Sequence, residues 1–223
     1  MTISEQHFEA FCRQADIDLT RLPETDLKTA DYSVVIGGQR VIAEIKEINA
    51  NEDDLRAHQK IMEEQCAVWG TNKVGSRIRY KIDAAKRQIE RLTAGTFPGI
   101  IVLYDARPEL VRGVWPYEVL VAMYGNETID LHISKCHAEP VRFGVHRFGK
   151  GKKLRHDSHT YISALAVLRE TANSDHFHMD FFLNVFADYP LPIEHIVHRS
   201  DMTVFTITPE KGNKFANWTK IIL

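Results

Sequence analysis

Three ionisable residues within the stretch 29–48, TADYSVVIGGQRVIAEIKEI, have types and spacing that suit phosphoryl chemistry: Asp31, Glu44 and Lys46. Two carboxylates held close together repel each other unless a cation lies between them, and a hard divalent metal ion with oxygen ligands is the usual solution. A lysine is not a ligand for that ion, but its ammonium group can orient an attacking water and offset charge that builds on a phosphoryl group. The three residues therefore predict a site for Mg²⁺- or Mn²⁺-dependent phosphodiester hydrolysis.

A β-hairpin is the element that would position these residues. Two short runs rich in Val and Ile, 31–36 and 41–48, flank the dipeptide Gly37-Gly38, which readily supplies the positive φ values of a tight turn. A two-residue loop sets the aspartate opposite the glutamate, and a four-residue loop sets it opposite the lysine. Both registers place the three side chains on one face, because side chains alternate along a strand. Apolar residues on both faces of the second run indicate that it is buried on both sides.

The order of an Asp, a hairpin and Glu-x-Lys resembles the PD-(D/E)XK nuclease superfamily, in which an Asp begins one strand and Glu-x-Lys lies in the next. Asp31, Glu44 and Lys46 match those positions, whereas Ala30 stands where the family usually has Pro. The resemblance implies a restriction-endonuclease-like fold and a nuclease that hydrolyses phosphodiester bonds of DNA. It also implies that Asp31 and Glu44 bind Mg²⁺ (or Mn²⁺) and that Lys46 positions the attacking water.

Two flanking helices are similar to those of the family. The amphipathic segment 5–15 carries Glu9, which resembles the acidic residue that many members add to the metal site from their first helix. A strong helix signal covers 76–92, with Ser76 as its N-cap and Gly95 just beyond its end. On this helix Gln88 and Lys81 resemble residues that support the site, Gln88 in catalysis and Lys81 in nucleic-acid binding. For Glu9, Gln88 and Lys81 the alternative is an ordinary surface role.

The fold class that follows is α/β, a restriction-endonuclease-like core with a central mixed β-sheet flanked by helices. The run GIIVLY at 99–104 reads as a buried strand after the helix, so the resemblance covers residues 4–105. We expect one domain, 1–223, with 1–105 as the core and 106–223 as a C-terminal α/β elaboration packed on it. In the elaboration the sequence predicts helices at 116–124 and 160–171 and strands at 128–134, 179–186 and 202–208.

A basic segment in the C-terminal half is the second candidate for contact with nucleic acid. Residues 142–155 contain six Lys and Arg and no Asp or Glu, interleaved with three glycines, which predicts a flexible loop that follows a phosphate backbone. The net charge of −2 is an objection, because nucleic-acid binding usually leaves a basic footprint. A solvated surface is the alternative. The residues that we expect to contact phosphates, besides Lys81, are Arg147, Lys150, Lys152, Lys153 and Arg155.

Several other classes of protein lack a starting motif. There is no CxxC pair, no GxxxxGK[ST] loop, no GxGxxG and no GxSxG, and the histidines of HFH at 176–178 have no further ligands at a zinc-like spacing. The three cysteines are widely spaced, and no apolar run approaches the length of a membrane span, so we expect a cytoplasmic protein without a membrane partner.

Two alternatives to a nuclease remain open. One is a catalytically inactive nucleic-acid-binding or assembly subunit that keeps the fold, and the other is an interaction module without nucleic acid. A homodimer or a partner subunit is compatible with all three.

Overall fold

The computed structural model describes residues 1–23, 29–67, 73–93, 95–134, 140–171, 176–208 and 214–222. In these ranges the regular elements are α1 (Ile3–Gln14), β1 (Asp18–Arg21), β2 (Tyr32–Ile36), β3 (Gln39–Ile48), α2 (Glu52–Glu64), α3 (Ser76–Thr93), β4 (Gly99–Asp105), α4 (Pro116–Tyr124), β5 (Glu127–His132), β6 (Arg142–Phe148), β7 (Ile162–Glu170), β8 (Phe177–Leu183), β9 (Met202–Thr206) and β10 (Thr219–Lys220). None of the helices in the described part is long and apolar enough to cross a bilayer.

Eight strands form one mixed sheet in the order β1-β2-β3-β4-β7-β8-β9-β10. The central strands β3, β4 and β7 are parallel, whereas β2 pairs with β3 and β8 pairs with β7 in antiparallel fashion. The fold is therefore α/β with a large mixed central sheet flanked by helices. The C-terminal half supplies four strands of this sheet, including the central β7, so it completes the sheet rather than packing beside it.

The hairpin β2–β3 has the two-residue loop. Tyr32 pairs with Ala43 and Ile36 pairs with Gln39, which is the register that sets Asp31 opposite Glu44. Gly37 and Gly38 both have positive φ, 57° and 78°, as a tight hairpin turn of this length requires.

Two apolar cores cover the two faces of the sheet. On one face, Val41, Ala43 and Ile45 of β3 pack with Phe8 and Phe11 of α1. On the other face, β3 contributes Ile48 to a core built with α3 and α4. Because side chains alternate along β3, Glu44 and Lys46 project to the α3 side. The element that can complete a site around them is therefore α3.

The helix predicted at 160–171 is wrong, because this segment is the strand β7, Ile162–Glu170. Its first seven residues, ISALAVL, are all buried, because the two apolar cores of the sheet cover its two faces. A short continuous apolar run of this kind does not distinguish a strand from a buried helix by periodicity, and the helix-forming Ala and Leu residues favoured the wrong choice.

The basic segment 142–155 is not a flexible loop throughout, because its first half is the strand β6. This strand pairs with β5 in a separate two-stranded ribbon. The predicted helix 116–124 coincides with α4, and the other predicted strands lie within three residues of the observed ones. Ser76 is the first helical residue of α3 rather than a residue that precedes it.

Candidate active site

Asp31 is fixed against β3 by its side chain. The β2–β3 ladder begins at Tyr32, so the backbone of β3 beyond Ala43 is left without a strand partner on this side. Asp31 Oδ2 accepts a hydrogen bond of 2.7 Å from the backbone N–H of Ile45 and so takes the place of the missing strand. This contact holds the aspartate beside the neighbouring residue on β3, Glu44.

Glu44 is a fully buried carboxylate with one unsatisfied oxygen. Its relative exposure is 0%, and its Oε1 accepts a hydrogen bond from Lys46 Nζ. Its Oε2 has no hydrogen-bond partner among the described residues. An orphaned carboxylate oxygen in the interior costs free energy, so an occupant that satisfies it is expected.

Gln88 connects α3 to this pair. Its Oε1 lies 3.4 Å from Lys46 Nζ, and its Nε2 donates a hydrogen bond of 3.1 Å to the carbonyl of Thr29, just before β2. The residue thus spans from the lysine to the segment that carries Asp31. The structure therefore brings together Asp31, Glu44, Lys46 and Gln88.

The electrostatics of the carboxylate pair are unbalanced. The pKa of Glu44 is raised to about 7, first by burial and then by the charge of Asp31, and Lys46 only partly opposes the rise. Burial also raises the pKa of Asp31, although the Ile45 N–H and Lys46 oppose the shift. A divalent cation between the carboxylates would reverse this situation, because it stabilises both ionised forms.

The donor set fits Mg²⁺ or Mn²⁺ better than a structural metal. Mg²⁺ is usually bound through one or two carboxylates and keeps several waters, and the orphaned Glu44 Oε2 beside Asp31 offers that kind of site. The described residues contain no group of three or more His, Cys, Asp or Glu arranged to hold a metal. A closed protein cage of the zinc type is thus not formed by this part of the chain.

Glu9 is not brought to Glu44 and Lys46. Its Oε1 accepts a hydrogen bond of 2.9 Å from the hydroxyl of Tyr32, and Tyr32 belongs to the core on the α1 side of the sheet. Glu44 and Lys46 project to the opposite side. The family-based expectation that Glu9 joins the metal site therefore has no support in the geometry, because the residue is positioned as a partner of Tyr32.

Glu5 is the residue of α1 whose charge acts on Asp31, and it raises the pKa of that carboxyl after the larger effect of burial. Its Oε2 accepts hydrogen bonds from the Thr2 N–H and from Arg21 Nη2, at 3.0 and 3.2 Å. Thr2 and Glu5 have the spacing of a capping box in the sequence. This pattern assigns Glu5 a local role at the start of α1 and does not indicate that Glu5 is close to the site.

Lys81 lies on the same flank of α3 as Gln88, about two turns nearer the start of the helix. Burial lowers the pKa of Lys81, and the positive charge of Lys46 lowers it further. Its Nζ lies 5.7 Å from the ring centroid of Tyr80, an aromatic residue that is 69% exposed. Both residues line an open cleft of about 390 Å³, which also includes Ile48, Asn49, Asn51, Ser76 and Arg77.

Most of the predicted phosphate contacts in 142–155 have intramolecular partners. Arg147 pairs with Asp130 at 2.7 Å, Lys153 with Asp83 of α3, and Arg155 with Asp157 at 3.1 Å. No ion pair joins Lys150 or Lys152 to the described residues. These two lysines are therefore the positive charges that the segment leaves for a partner.

The segment also lies on the far flank of α3 from the candidate site. Lys153 reaches Asp83, and Gly151 lies against Arg79. Successive helical residues advance by about 100°, so these positions are on roughly the opposite side of α3 from Lys81 and Gln88. The body of α3 therefore separates the basic segment from the candidate site.

Comparisons of the chain with protein-family models, with curated proteins and with solved structures give no match.

Proposed function

We propose that this chain is a metal-dependent nuclease of the PD-(D/E)XK type, with a restriction-endonuclease-like core, that hydrolyses phosphodiester bonds of DNA. The observation that carries the proposal is the buried Glu44, whose Oε2 has no hydrogen-bond partner among the described residues, beside Asp31 and in contact with Lys46. Two carboxylates and one lysine with an orphaned carboxylate oxygen suit a divalent cation.

Each residue has a distinct role in this proposal. Asp31 and Glu44 would hold Mg²⁺ or Mn²⁺, which when bound polarises the scissile phosphate and lowers the pKa of a water. Lys46 orients the attacking water and stabilises the negative charge that builds on the phosphoryl oxygens. The water oxygen forms a new bond to phosphorus as the bond to the leaving oxygen breaks. The water gives up its proton to solvent, and the leaving oxygen takes one from solvent.

Gln88 is a positioning residue, because it contacts Lys46 and the carbonyl of Thr29 rather than the expected place of the phosphate. It holds the ammonium group at the carboxylates and fixes α3 to the start of β2. Its loss should therefore change the geometry of Lys46 more than its charge.

The cleft beside Lys46 suits a strand of nucleic acid. Lys81 supplies positive charge, and the exposed ring of Tyr80 supplies a face on which a base can stack. Stacking of a base on an aromatic side chain stabilises binding by about 1–3 kcal/mol. The strand would thus approach the carboxylates from the carboxyl end of β3.

A cleavage assay with matched lysine variants tests the proposal. We expect the wild type with Mg²⁺ or Mn²⁺ to nick or degrade DNA, EDTA to abolish the activity, and Lys46→Ala or Asp31→Asn to lower the rate by about 10² or more. Lys60→Ala is the control, because Lys60 is an exposed lysine of α2 that pairs only with Glu64 in the described structure. A wild type without activity on DNA and RNA substrates would overturn the proposal.

A catalytically inactive nucleic-acid-binding subunit is the second candidate. The direct contact of Lys46 with Glu44 favours it, because this ion pair leaves fewer groups free for chemistry. The same assay separates the two, since DNA binding that is insensitive to Mg²⁺ and occurs without cleavage is expected only of the inactive subunit.

A further inference from the structure

The ribbon β5–β6 exposes a set of large apolar side chains on one face. Leu131 pairs with Phe143 across the ribbon, and alternation along each strand adds the residues two positions away, with a shift of register between Ile129 and Leu131. The members of this apolar face, which are between 39% and 74% exposed, are Ile129, Leu131, Ile133, Val141, Phe143 and Val145. A contiguous apolar surface of several hundred Å² is often a functional site.

The ribbon is anchored to the rest of the protein at its base. Phe148, at the end of β6, is buried and packs on Tyr124 and Phe215 with ring centroids 5.7 and 4.8 Å apart. The N–H of Phe215 donates a hydrogen bond of 3.0 Å to the carbonyl of His146, which covers part of the outer edge of β6. The apolar face is therefore presented on a fixed support.

Charge lies at the base of the apolar face and on the opposite side of the ribbon. At the base, His146, the cross-strand partner of Ile129, has its Nδ1 2.7 Å from Glu127 Oε1. Asp130 and Arg147 form their ion pair on the opposite side of the ribbon, where His132 and Arg142 also lie by alternation. The apolar face consequently has an uncharged centre. Depletion of charge at the centre is the composition of homodimer interfaces, which are more apolar than transient ones.

The rest of the chain does not supply an obvious cover. The stretches between the described ranges are at most five residues long, and none has more than two large apolar side chains in its sequence. Six such side chains on the ribbon need a larger apolar surface than these stretches carry. The described residues therefore leave the apolar face open to a second molecule.

The exposed area is close to what one side of a stable interface requires. A large side chain presents on the order of 150–200 Å² when fully exposed, so six that are roughly half exposed present on the order of 500 Å². Tyr117, 44% exposed, lies with its hydroxyl 3.5 Å from Glu127 at the base of the ribbon and extends this area. A standard interface buries about 800 Å² per partner, which the apolar face and its rim can supply.

We propose that two copies of this chain associate through the apolar faces of their β5–β6 ribbons. The ribbons pack face to face, about 10 Å apart as in a β-sandwich. A twofold axis pairs each apolar face with its equivalent, so no second type of surface is needed. The net charge of −2 gives little repulsion between copies.

The test measures the mass of the full chain in solution by sedimentation equilibrium and light scattering, with neighbouring variants that add the same charge. Leu131→Asp introduces a carboxylate on the apolar face, and His132→Asp introduces one on the opposite face of the same strand. We expect a wild-type dimer, at least a tenfold weaker association in Leu131→Asp, and little change in His132→Asp. Phe143→Asp should reproduce the effect from the other strand.

Circular dichroism on each variant checks that the ribbon change leaves the fold intact, as expected for residues at this exposure. A wild type that stays monomeric at high micromolar concentration overturns the proposal. So does a dimer that His132→Asp weakens as much as Leu131→Asp. Binding of the monomer to anionic lipid vesicles without dimer formation would assign the face to a membrane surface instead and also overturns it.

Discussion

Two buried clusters of charge near the carboxyl end of β3 differ in how completely they are paired. In the first, Asp31 and Glu44 share one lysine, and Glu44 Oε2 is without a partner in the described structure. In the second, Asp54 and Asp105 face two arginines, and Asp54 Oδ1, which also has no hydrogen-bond partner among the described residues, lies 3.7 Å from Arg107 Nη1. Arg107 forms two hydrogen bonds to Asp105 of 2.8 and 2.7 Å, and Arg77 Nη1 donates one of 2.6 Å to Asp54.

The directions of the pKa shifts follow from this difference. Burial opposes ionisation of Asp54, yet the hydrogen bonds from Arg77 and from the Asn51 N–H lower its pKa. In the first cluster, burial dominates and the pKa of both carboxyls is raised. The second cluster is neutralised by the protein itself and joins α2 and α3 to β4. The first contains two carboxylates and only one lysine, so the protein does not neutralise it, as expected of a site that binds a cation.

The second cluster should be the more costly one to break. Removal of one partner from a buried ion pair leaves an uncompensated charge, so we expect Asp54→Ala to lower the free energy of unfolding by about 3–5 kcal/mol. Asp53→Ala is the matched control, because Asp53 is exposed and its pair with Arg56 is solvated, so a change within about 0.5 kcal/mol is expected. Urea denaturation measures both. Equal effects of the two variants would show that the second cluster is not a structural clamp.

The free energy of unfolding should depend on the pH through the first cluster in the opposite direction from an ordinary ion pair, in which folding lowers the pKa of the carboxyl group. Folding raises the pKa of Glu44 from 4.5 to about 7, so the folded state binds more protons than the unfolded state in this window. Stability without metal therefore falls as pH rises through the window, by on the order of 1–3 kcal/mol.

Glu44→Gln removes this titration. In EDTA, we expect the variant to match the wild type near the lower end of the window and to be more stable above its upper end, as measured by urea denaturation. A variant that is less stable than the wild type at every pH would mean that the Glu44–Lys46 contact is a structural salt bridge.

The smallest expected effect is on DNA binding by the basic segment, which lies on the far flank of α3. Replacement of Lys150 and Lys152 with Ala should weaken DNA binding a few-fold at low salt and reduce the salt slope by about one or two, because fewer counterions are released. Lys153→Ala is the control, since Lys153 is occupied by Asp83. An unchanged slope in the double variant would assign this flank to ordinary surface.

The sequence was sufficient where local rules act alone. Alternation places Asp31, Glu44 and Lys46 on one face of the hairpin for a two-residue or a four-residue loop, and helical periodicity places Gln88 and Lys81 on one flank of α3. These relations depend on residues close in sequence or on one rigid helix, so they can be predicted without the fold.

Contacts that depend on chain topology were not accessible in this way. That Glu5 rather than Glu9 acts on Asp31 depends on the position of α1 on the sheet. The strand β7 was mistaken for a helix because distant elements cover both of its faces. The sequence shows the charge of the basic segment but not its position, and only the packing of Lys153 on Asp83 reveals that it lies across α3 from the site.

Titration calorimetry with Mn²⁺ tests the central claim, that Asp31 and Glu44 form a cation site, more directly than a cleavage assay. At about pH 6, in buffers of different ionisation enthalpy, we expect one binding event that releases protons, because Glu44 must lose its proton when the cation binds. Fewer protons should be released at about pH 8. Glu44→Gln and Asp31→Asn should each abolish Mn²⁺ binding, whereas Asp53→Ala should leave it unchanged. Mn²⁺ binding that persists in both site variants, or a wild type that binds none, would contradict the assignment.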